Sequence, residues 1–294
     1  MPLNECTKKQ KTEPMQEETG YFSSFDGTKL FYRAWEQEAS DALVVLHGMG
    51  EHSGRYRETI ETLSKLPFSF FLYDARGHGR SEGERMYLNC FDDLREDAVS
   101  FRRFVESRLS QKRRFILMGQ SLGGLVATSV VLKNQADWHA LILLSPFFGA
   151  AHANPILFGL ARFLNLIYPK SIWDNPIKPM FLTHDPEEVD RYKRDDLIQR
   201  RITSRMAYEM LRGCSQTRQR ARELSIPLLL LTGGEDQIVS VGEMKRFFKS
   251  VSSHSKEIKI FPHCYHELLH EYERGEAVQI VKDFLIKYAC PDYH

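Results

Sequence analysis

The stretch FILMGQSLGG at residues 115–124 decides the fold of this chain. Residues 115–118 form a short apolar run, the pattern Gly-x-Ser-x-Gly follows at once, and residues 125–133 indicate a helix. A serine on a tight turn between a strand and a helix needs small residues two positions away, because its backbone is strained. The free N–H groups at the start of the helix favour developing negative charge. We therefore predict that Ser121 is a nucleophile that points at a cleft; a glycine-rich turn with an incidental serine is the alternative.

A serine hydroxyl reacts only when a base takes its proton and an acid orients that base. The apolar run 228–231 leads into a loop that contains Asp236, and the run 258–261 leads into a loop that contains His266. Because sites in α/β proteins lie at the carboxyl ends of the strands, both side chains are placed to meet Ser121. Their chain order, Ser then Asp then His, is that of an α/β-hydrolase triad. Neighbouring side chains remain as alternatives, Glu235 for the acid and His263 or His270 for the base.

The loop HGMG at residues 47–50 follows another apolar run and supplies a third element of the predicted site. The oxyanion of a tetrahedral intermediate needs two fixed N–H donors. We expect one from Leu122, directly after the nucleophile, and the other from Met49 in this loop. Both donors are backbone groups, and the glycines let the chain approach a substrate closely. Taken alone, the loop is almost as well explained by a simple turn after a strand.

Short apolar runs alternate with helix-length segments along most of the chain. Continuous apolar runs are typical of strands buried on both faces of a parallel sheet, so the alternation predicts a doubly wound α/β sheet. Asp26-Gly27 lies between two further runs and predicts an antiparallel hairpin at the start. The predicted strands are 21–24, 29–35, 42–46, 68–73, 115–118, 140–144, 228–231 and 258–261, and the clearest helices are 91–107 and 277–288.

The alternation stops between residues 149 and 206, where prolines are frequent. An apolar helical stripe at 156–167 is too apolar to stay solvated, so the segment is not a linker. We predict that residues 149–206 are an inserted helical cap on a core formed by 20–148 and 207–294. The polar residues 1–19 are predicted to be a flexible extension.

Composition excludes several classes of protein. The chain has 294 residues, of which 42% are hydrophobic, and 40 Lys and Arg against 39 Asp and Glu give a net charge of +1. Wholesale disorder is therefore excluded, and no basic face for nucleic acid is expected. No apolar run approaches the ~20 residues that span a bilayer, and the N-terminal segment lacks the apolar centre of a signal peptide. Five scattered cysteines and the lack of an Asn-x-Ser/Thr site favour a reducing, cytoplasmic location.

Three longer motifs carry a resemblance to a known family. Residues 47–56 (HGMGEHSGRY), 73–83 (YDARGHGRSEG) and 119–124 (GQSLGG) resemble the oxyanion loop, the loop after the next strand and the nucleophile elbow of the monoacylglycerol lipase/lysophospholipase group of α/β-hydrolases. The match continues through residues 233–236 and 265–266. It therefore covers nearly the whole chain after the N-terminal extension.

The resemblance implies an α/β-hydrolase fold with a mostly parallel, eight-stranded sheet flanked by helices and a lid at 149–206. In the family this lid is amphipathic, lines an acyl tunnel and meets the membrane, which implies substrate contacts from Ile156, Leu160 and Leu164. A helix packed on the sheet or on its neighbours is the alternative for this stripe. Tyr192 falls where relatives contact the glycerol end of the substrate; a surface tyrosine on a charged helix is the alternative.

The resemblance also implies a serine hydrolase that cleaves lipid esters, monoacylglycerol or lysophospholipid, through an acyl-enzyme on Ser121 with Asp236 and His266. No metal or organic cofactor is needed. The expected partners are a lipid ester and a membrane surface touched peripherally by the cap, not nucleic acid. The alternatives are a short-chain esterase, thioesterase or small peptidase on the same fold and, from another class, a hydrolase-fold binding protein without activity.

Overall fold

One large sheet organises the computed structural model, which describes residues 15–37, 41–109, 113–152, 155–175 and 177–289. The strands are β1 (Glu17–Ser23), β2 (Lys29–Trp35), β3 (Asp41–Leu46), β4 (Phe68–Tyr73), β5 (Phe115–Gln120), β6 (Ala140–Leu144), β7 (Ile172–Asp174), β8 (Arg201–Thr203), β9 (Leu228–Gly233) and β10 (Lys256–Phe261). The sheet has eight strands in the order β1-β2-β4-β3-β5-β6-β9-β10. β2 pairs antiparallel with β1 and β4, and the other pairs are parallel. The predicted fold class is therefore confirmed.

Helices cover both faces of this sheet, because successive residues of a strand point to opposite sides. In β5, Leu117 belongs to the apolar core on one face and Met118 to the core on the other. The α-helices of the described residues are α1 (Arg57–Leu63), α2 (Phe91–Arg108), α3 (Leu122–Lys133), α4 (Pro155–Ile167), α5 (Pro186–Arg194), α6 (Ser204–Gln219), α7 (Val241–Ser250) and α8 (Arg274–Ala289). The first face packs on α2, α3, α6 and α7, and the second on α1 and α8. None of these helices is long and apolar enough to cross a membrane.

β1 begins at Glu17, inside the segment 1–19 that is predicted to be a flexible extension. The Glu17 carboxylate accepts a hydrogen bond from Arg57 at 2.7 Å, and the Glu18 carboxylate accepts one from the Tyr32 hydroxyl at 2.6 Å. These polar contacts hold the first residues of the strand, which have no apolar pattern, so the sequence reveals only its later part as the predicted strand 21–24. The rest of the predicted extension, before residue 15, lies outside the described residues.

Between β6 and β9 the chain leaves the large sheet. This segment contains α4, α5 and the short antiparallel pair of β7 and β8. α6 begins at Ser204, where the Thr203 hydroxyl caps the helix by accepting a hydrogen bond from the Met206 N–H at 3.2 Å. Because α6 runs on to Gln219, it crosses the boundary predicted at residue 206. It packs against α4 and also against α2 and α3 of the core. We refer to residues 149–206 below as the insert.

Candidate active site

Ser121 lies on the turn between β5 and α3, as predicted. Its φ and ψ are 51° and −116°, a conformation that a residue with a side chain rarely adopts. Gly123 follows in the first turn of α3, and a Cβ at this position would overlap the carbonyl oxygen of Leu46 at the end of β3. The missing side chain therefore lets the start of α3 approach the end of β3 closely. The strained turn holds the Ser121 side chain at the N-terminus of a helix, where negative charge is favoured.

His266 and Asp236 form a buried pair in the loops after β10 and β9. Their side chains are 3% and 0% exposed, and His266 Nδ1 lies 2.7 Å from Asp236 Oδ2. The other carboxylate oxygen, Oδ1, accepts hydrogen bonds from the N–H groups of Ile238 (2.8 Å) and Val239 (2.9 Å). Because an ionised carboxylate can only accept, Nδ1 carries the proton and Nε2 is left as the basic nitrogen.

The loop of His266 lies against the turn of Ser121. The Gln120 side-chain amide, one residue before the serine, donates a hydrogen bond to the His266 carbonyl oxygen at 3.3 Å. Burial lowers the pKa of His266, but the charge and the hydrogen bond of Asp236 outweigh this effect, and the pKa is raised above its ordinary value. The site therefore combines a strained serine with a buried histidine that a carboxylate orients.

The loop at residues 47–50 also meets the serine. A Cβ placed on Gly48 would lie 3.3 Å from Ser121 Cβ, so the backbone of this loop passes close to the predicted nucleophile. His47 Nε2 accepts a hydrogen bond from the Ala75 N–H at 2.9 Å, which fixes the loop to the chain after β4. Among the hydrogen bonds of the described residues, none has the N–H of Met49 or of Leu122 as its donor. Both predicted oxyanion donors are thus available to a bound group.

The alternative acid and bases have other partners. Glu235 and His263 lie 3.2 Å apart, and their side chains are 48% and 84% exposed, so they face solvent together. His270 places Nε2 3.3 Å from the carbonyl oxygen of Arg55 and Nδ1 3.4 Å from Glu267. Glu235, His263 and His270 do not form a buried histidine–carboxylate contact as short as that between His266 and Asp236. That pair is therefore the best-placed acid and base.

Three charged residues beside the site are absent from the sequence prediction. Arg55 donates hydrogen bonds to both Glu51 and Glu267, and all three side chains are buried. Glu51 directly follows the predicted oxyanion loop, and Glu267 directly follows His266. Each of them lies in or beside a motif quoted above, a signal that could have drawn attention to the single residues but not to their pairing.

Tyr192 on α5 is buried, not at the surface, so the alternative of a surface tyrosine is wrong. Its ring lies 5.0 Å from the Arg55 guanidinium and packs with Leu182 and Ile198. Most other residues of α5 are charged, which made the whole helix look solvated in the sequence. The structure thus places Tyr192 against the charged cluster beside the site.

The apolar stripe of α4 remains largely uncovered in the insert. Ile156 is 80% exposed and Leu160 is 42% exposed, whereas Leu164 is half-buried. α4 rests on α6, and this contact buries only part of its apolar surface. The alternative, a helix packed on the sheet or on its neighbours, agrees with this contact between α4 and α6, although much of the stripe stays exposed.

Within the described ranges, no group of three or more His, Cys, Asp or Glu side chains could hold a metal ion. Cys90, Cys214 and Cys264 are free thiols, and the other two cysteines of the chain lie outside those ranges. Burial raises the pKa of the Cys214 thiol to about 11, so this side chain stays protonated near neutral pH.

Comparison with known proteins agrees with this fold. A family model described as serine aminopeptidase, S33, matches residues 37–273. Human monoglyceride lipase is 30% identical over 248 residues, or 83% of this chain and 81% of that protein. The monoacylglycerol lipase of Mycolicibacterium smegmatis is 27% identical over 91% of this chain and 96% of that protein. The crystal structure of Paleococcus ferrophilus monoacylglycerol lipase has a TM-score of 0.81 and 26% identity, covering 88% of this chain and 99% of that one.

These matches extend over most of the chain and include the motifs quoted above. The resemblance to the monoacylglycerol lipase group is confirmed, and the chain belongs to the serine aminopeptidase S33 family of α/β-hydrolases.

Proposed function

We propose that this protein is a serine hydrolase that cleaves carboxylic esters of lipids, with monoacylglycerol or lysophospholipid as substrate. The observation that carries the proposal is the buried 2.7 Å contact between His266 and Asp236, which leaves the second ring nitrogen free to act as a base, in a loop that a hydrogen bond from Gln120 joins to the turn of Ser121. The names of the human, mycobacterial and archaeal relatives support the lipid class of substrate.

The proposed reaction proceeds through an acyl-enzyme. Ser121 Oγ attacks the ester carbonyl carbon while His266 Nε2 takes its proton, and Asp236 stabilises the imidazolium. The N–H groups of Met49 and Leu122 bind the oxyanion of the tetrahedral intermediate. Collapse of this intermediate returns the proton to the departing alcohol. Water activated by His266 then releases the fatty acid, so the reaction consumes one water and needs no cofactor.

Tyr192 is proposed to contact the alcohol end of the substrate. Among the described residues no hydrogen bond involves its hydroxyl, which is therefore available to a substrate hydroxyl. The stripe residues Ile156, Leu160 and Leu164 are proposed to contact the acyl chain, since apolar surface in the insert favours a hydrocarbon.

A peptidase, which the family description names, is the second candidate. A site that binds the free ammonium of a peptide needs a carboxylate without a partner. The buried carboxylates of Glu51 and Glu267 are both paired with Arg55. This pairing favours a neutral ester over an N-terminal ammonium.

A fluorophosphonate probe followed by a substrate screen tests the proposal. The probe is expected to label Ser121, and the screen compares long-chain monoacylglycerol, lysophospholipid, diacylglycerol, a chain-length series of p-nitrophenyl esters and aminoacyl peptides. A preference for acetyl over long acyl esters would support the short-chain esterase, and peptide cleavage would support the peptidase. An unlabelled Ser121 would support the silent binding protein.

The pH dependence of hydrolysis follows from the environment of His266, which must be neutral to accept a proton. Burial lowers its pKa, but Asp236 outweighs burial and raises the pKa above the ordinary 6.5. We therefore expect kcat/KM to fall on acidification with a midpoint above pH 6.5. Rates on a soluble ester between about pH 5 and about pH 9 measure this midpoint. A midpoint at or below the ordinary value would contradict the predicted environment of the base.

The same proposal includes peripheral contact of the insert with a membrane. Phe163 and Leu166 in α4 are 57% and 80% exposed, and Tyr168 and Trp173 nearby are 63% and 46% exposed. Apolar and aromatic side chains of this kind partition into the headgroup region of a bilayer. Because the net charge is only +1, apolar burial rather than attraction to anionic lipids is expected to drive binding.

We expect the double variant Phe163→Ser/Leu166→Ser to bind vesicles of neutral phosphatidylcholine roughly tenfold more weakly or worse, because each change removes buried apolar area. Co-sedimentation with vesicles measures the loss. The matched control is Tyr21→Ser, since Tyr21 is 54% exposed on β1 at the edge of the sheet, outside the insert. Equal binding by both variants, or loss of wild-type binding at moderate salt, would contradict an apolar contact through α4.

A further inference from the structure

Three buried charged side chains connect the oxyanion loop to the residue after His266. Arg55 donates hydrogen bonds from both terminal nitrogens to Glu267, at 2.6 and 2.7 Å, and another to Glu51 at 2.9 Å. The side chains of Arg55, Glu267 and Glu51 are 8%, 7% and 5% exposed. Charges taken out of water are costly unless each is paired with good geometry. The cluster therefore has little freedom to rearrange, and it restrains the groups that are hydrogen-bonded to it.

At one end the cluster holds the oxyanion loop. Glu51 Oε1 accepts a hydrogen bond from the Gly48 N–H at 2.5 Å and another from the Tyr56 hydroxyl at 2.8 Å, while Oε2 accepts from Arg55. Gly48 directly precedes Met49, the predicted oxyanion donor. Oε1 of Glu51 thus holds the backbone next to that donor, while Oε2 connects the same carboxylate to Arg55.

At the other end the cluster holds the loop of the base. Glu267 follows His266 in the chain, and its N–H donates to the Leu182 carbonyl oxygen at 2.8 Å. Its carboxylate is bound by both terminal nitrogens of Arg55, which fixes orientation as well as distance. A bidentate pair on Glu267 therefore restrains the peptide unit that follows His266.

The cluster also sets the charge around His266. Burial raises the pKa of Glu267, but Arg55 outweighs it and holds the pKa below its usual value, so Glu267 is ionised at neutral pH. The charges of Glu267 and Glu51 add to that of Asp236 in favouring the protonated imidazole. The ionisable groups around His266 and this cluster include His47, Glu51, Arg55, Tyr56, Glu188, Tyr192, Asp195, Asp236 and His270.

We propose that Arg55 and Glu267 are positioning residues of the reaction, whose buried pair fixes His266 relative to the oxyanion donors at Met49 and Leu122. This inference rests on the proposed hydrolase function. Neither residue is expected to touch the reacting atoms. Each acts through a neighbour, Arg55 through Glu51 and Gly48, and Glu267 through the backbone of His266.

The variant Glu267→Gln tests the proposal. It keeps the shape of the side chain but replaces one acceptor oxygen by an NH2 group that cannot accept from Arg55. We expect kcat on a soluble ester to fall roughly ten- to a hundredfold with little change in KM, because misplacement acts in the transition state. The acidic midpoint of kcat/KM is expected to move roughly half a unit lower, since a negative charge near the imidazolium is lost.

The variant Arg55→Lys separates the effect of the bidentate contact from the effect of charge on His266. It also tests the positioning role if Glu267→Gln does not fold. It retains the positive charge but loses the fork that binds Glu267 through two nitrogens, so kcat is expected to fall while the acidic midpoint stays in place. The matched control is Asp41→Asn. Asp41 accepts two hydrogen bonds from Arg114, at 3.0 and 2.9 Å, at the opposite end of β3 from the oxyanion loop. This control is expected to lower the unfolding temperature but to leave kcat and the midpoint unchanged.

The outcomes distinguish this inference from the proposed function on which it rests. Wild-type protein that neither reacts with fluorophosphonate nor hydrolyses esters overturns both. If the wild type is active, a folded Glu267→Gln variant with unchanged kcat and midpoint overturns the positioning role alone. Unchanged kcat in Arg55→Lys overturns it as well, because the fork would then have no part in placing the site.

Discussion

Replacing Ser121 with alanine is expected to lower the rate of ester hydrolysis by roughly 10⁴- to 10⁶-fold. The change removes the oxygen that forms the acyl-enzyme, and no other group of the proposed mechanism can substitute for it. The residual rate would come from binding and from the oxyanion donors, which position the ester for direct attack by water. Initial rates on the best substrate of the screen, with a fluorophosphonate label as the second measurement, determine the loss.

The matched control for this change is Ser145→Ala. Ser145 is also buried and also has a positive φ, 40°, and no hydrogen bond involves its hydroxyl among the described residues. Both variants therefore place alanine in a strained backbone conformation, so their effects on the free energy of unfolding should be similar. Only the Ser121 variant should lose activity and labelling. Near-normal hydrolysis by Ser121→Ala would refute the assignment of the nucleophile.

Strands that are buried in the sheet can be predicted from the sequence. β2, β4 and β6 begin and end at the predicted residues, because a strand buried in the sheet is a compact run of apolar side chains between turns. β1 shows the limit of this signal. Its first residues are held by contacts of Glu17 and Glu18 with other parts of the chain, so their composition resembles that of a solvated segment.

The same holds for the site: some of its residues can be predicted from the nearby sequence, whereas others depend on contacts between distant parts of the chain. Ser121 is predictable because the strained turn needs its flanking glycines within five residues. The pair of Arg55 and Glu267 has no local signature, since the two residues are 212 positions apart and meet only when β3 and β10 have joined the same sheet. Tyr192 is named from the resemblance, but its burial is not predicted for a related reason: it depends on contacts with Arg55, Leu182 and Ile198, which no pattern within α5 indicates.

Replacing Asp236 with asparagine is expected to lower kcat by about 10⁴-fold while the fold is retained. The amide oxygen can still accept the hydrogen bonds that Ile238 and Val239 donate to Oδ1. The amide NH2 group then faces His266 Nδ1 as a donor, so Nδ1 must become the acceptor and the ring proton moves to Nε2. A ring that carries its proton on Nε2 cannot take the proton of Ser121, and the nucleophile is no longer activated.

A control variant distinguishes the loss expected for Asp236→Asn from a general effect of removing a negative charge. Glu235→Gln makes the same chemical change one residue earlier, on a side chain that is 48% exposed and faces the exposed His263. It is expected to leave kcat unchanged, whereas ¹⁵N NMR of the imidazole should show the altered tautomer only in Asp236→Asn. If Glu235→Gln lost activity and Asp236→Asn kept it, the acid would be Glu235. The buried contact between Asp236 and His266 would then hold the loop without orienting the base.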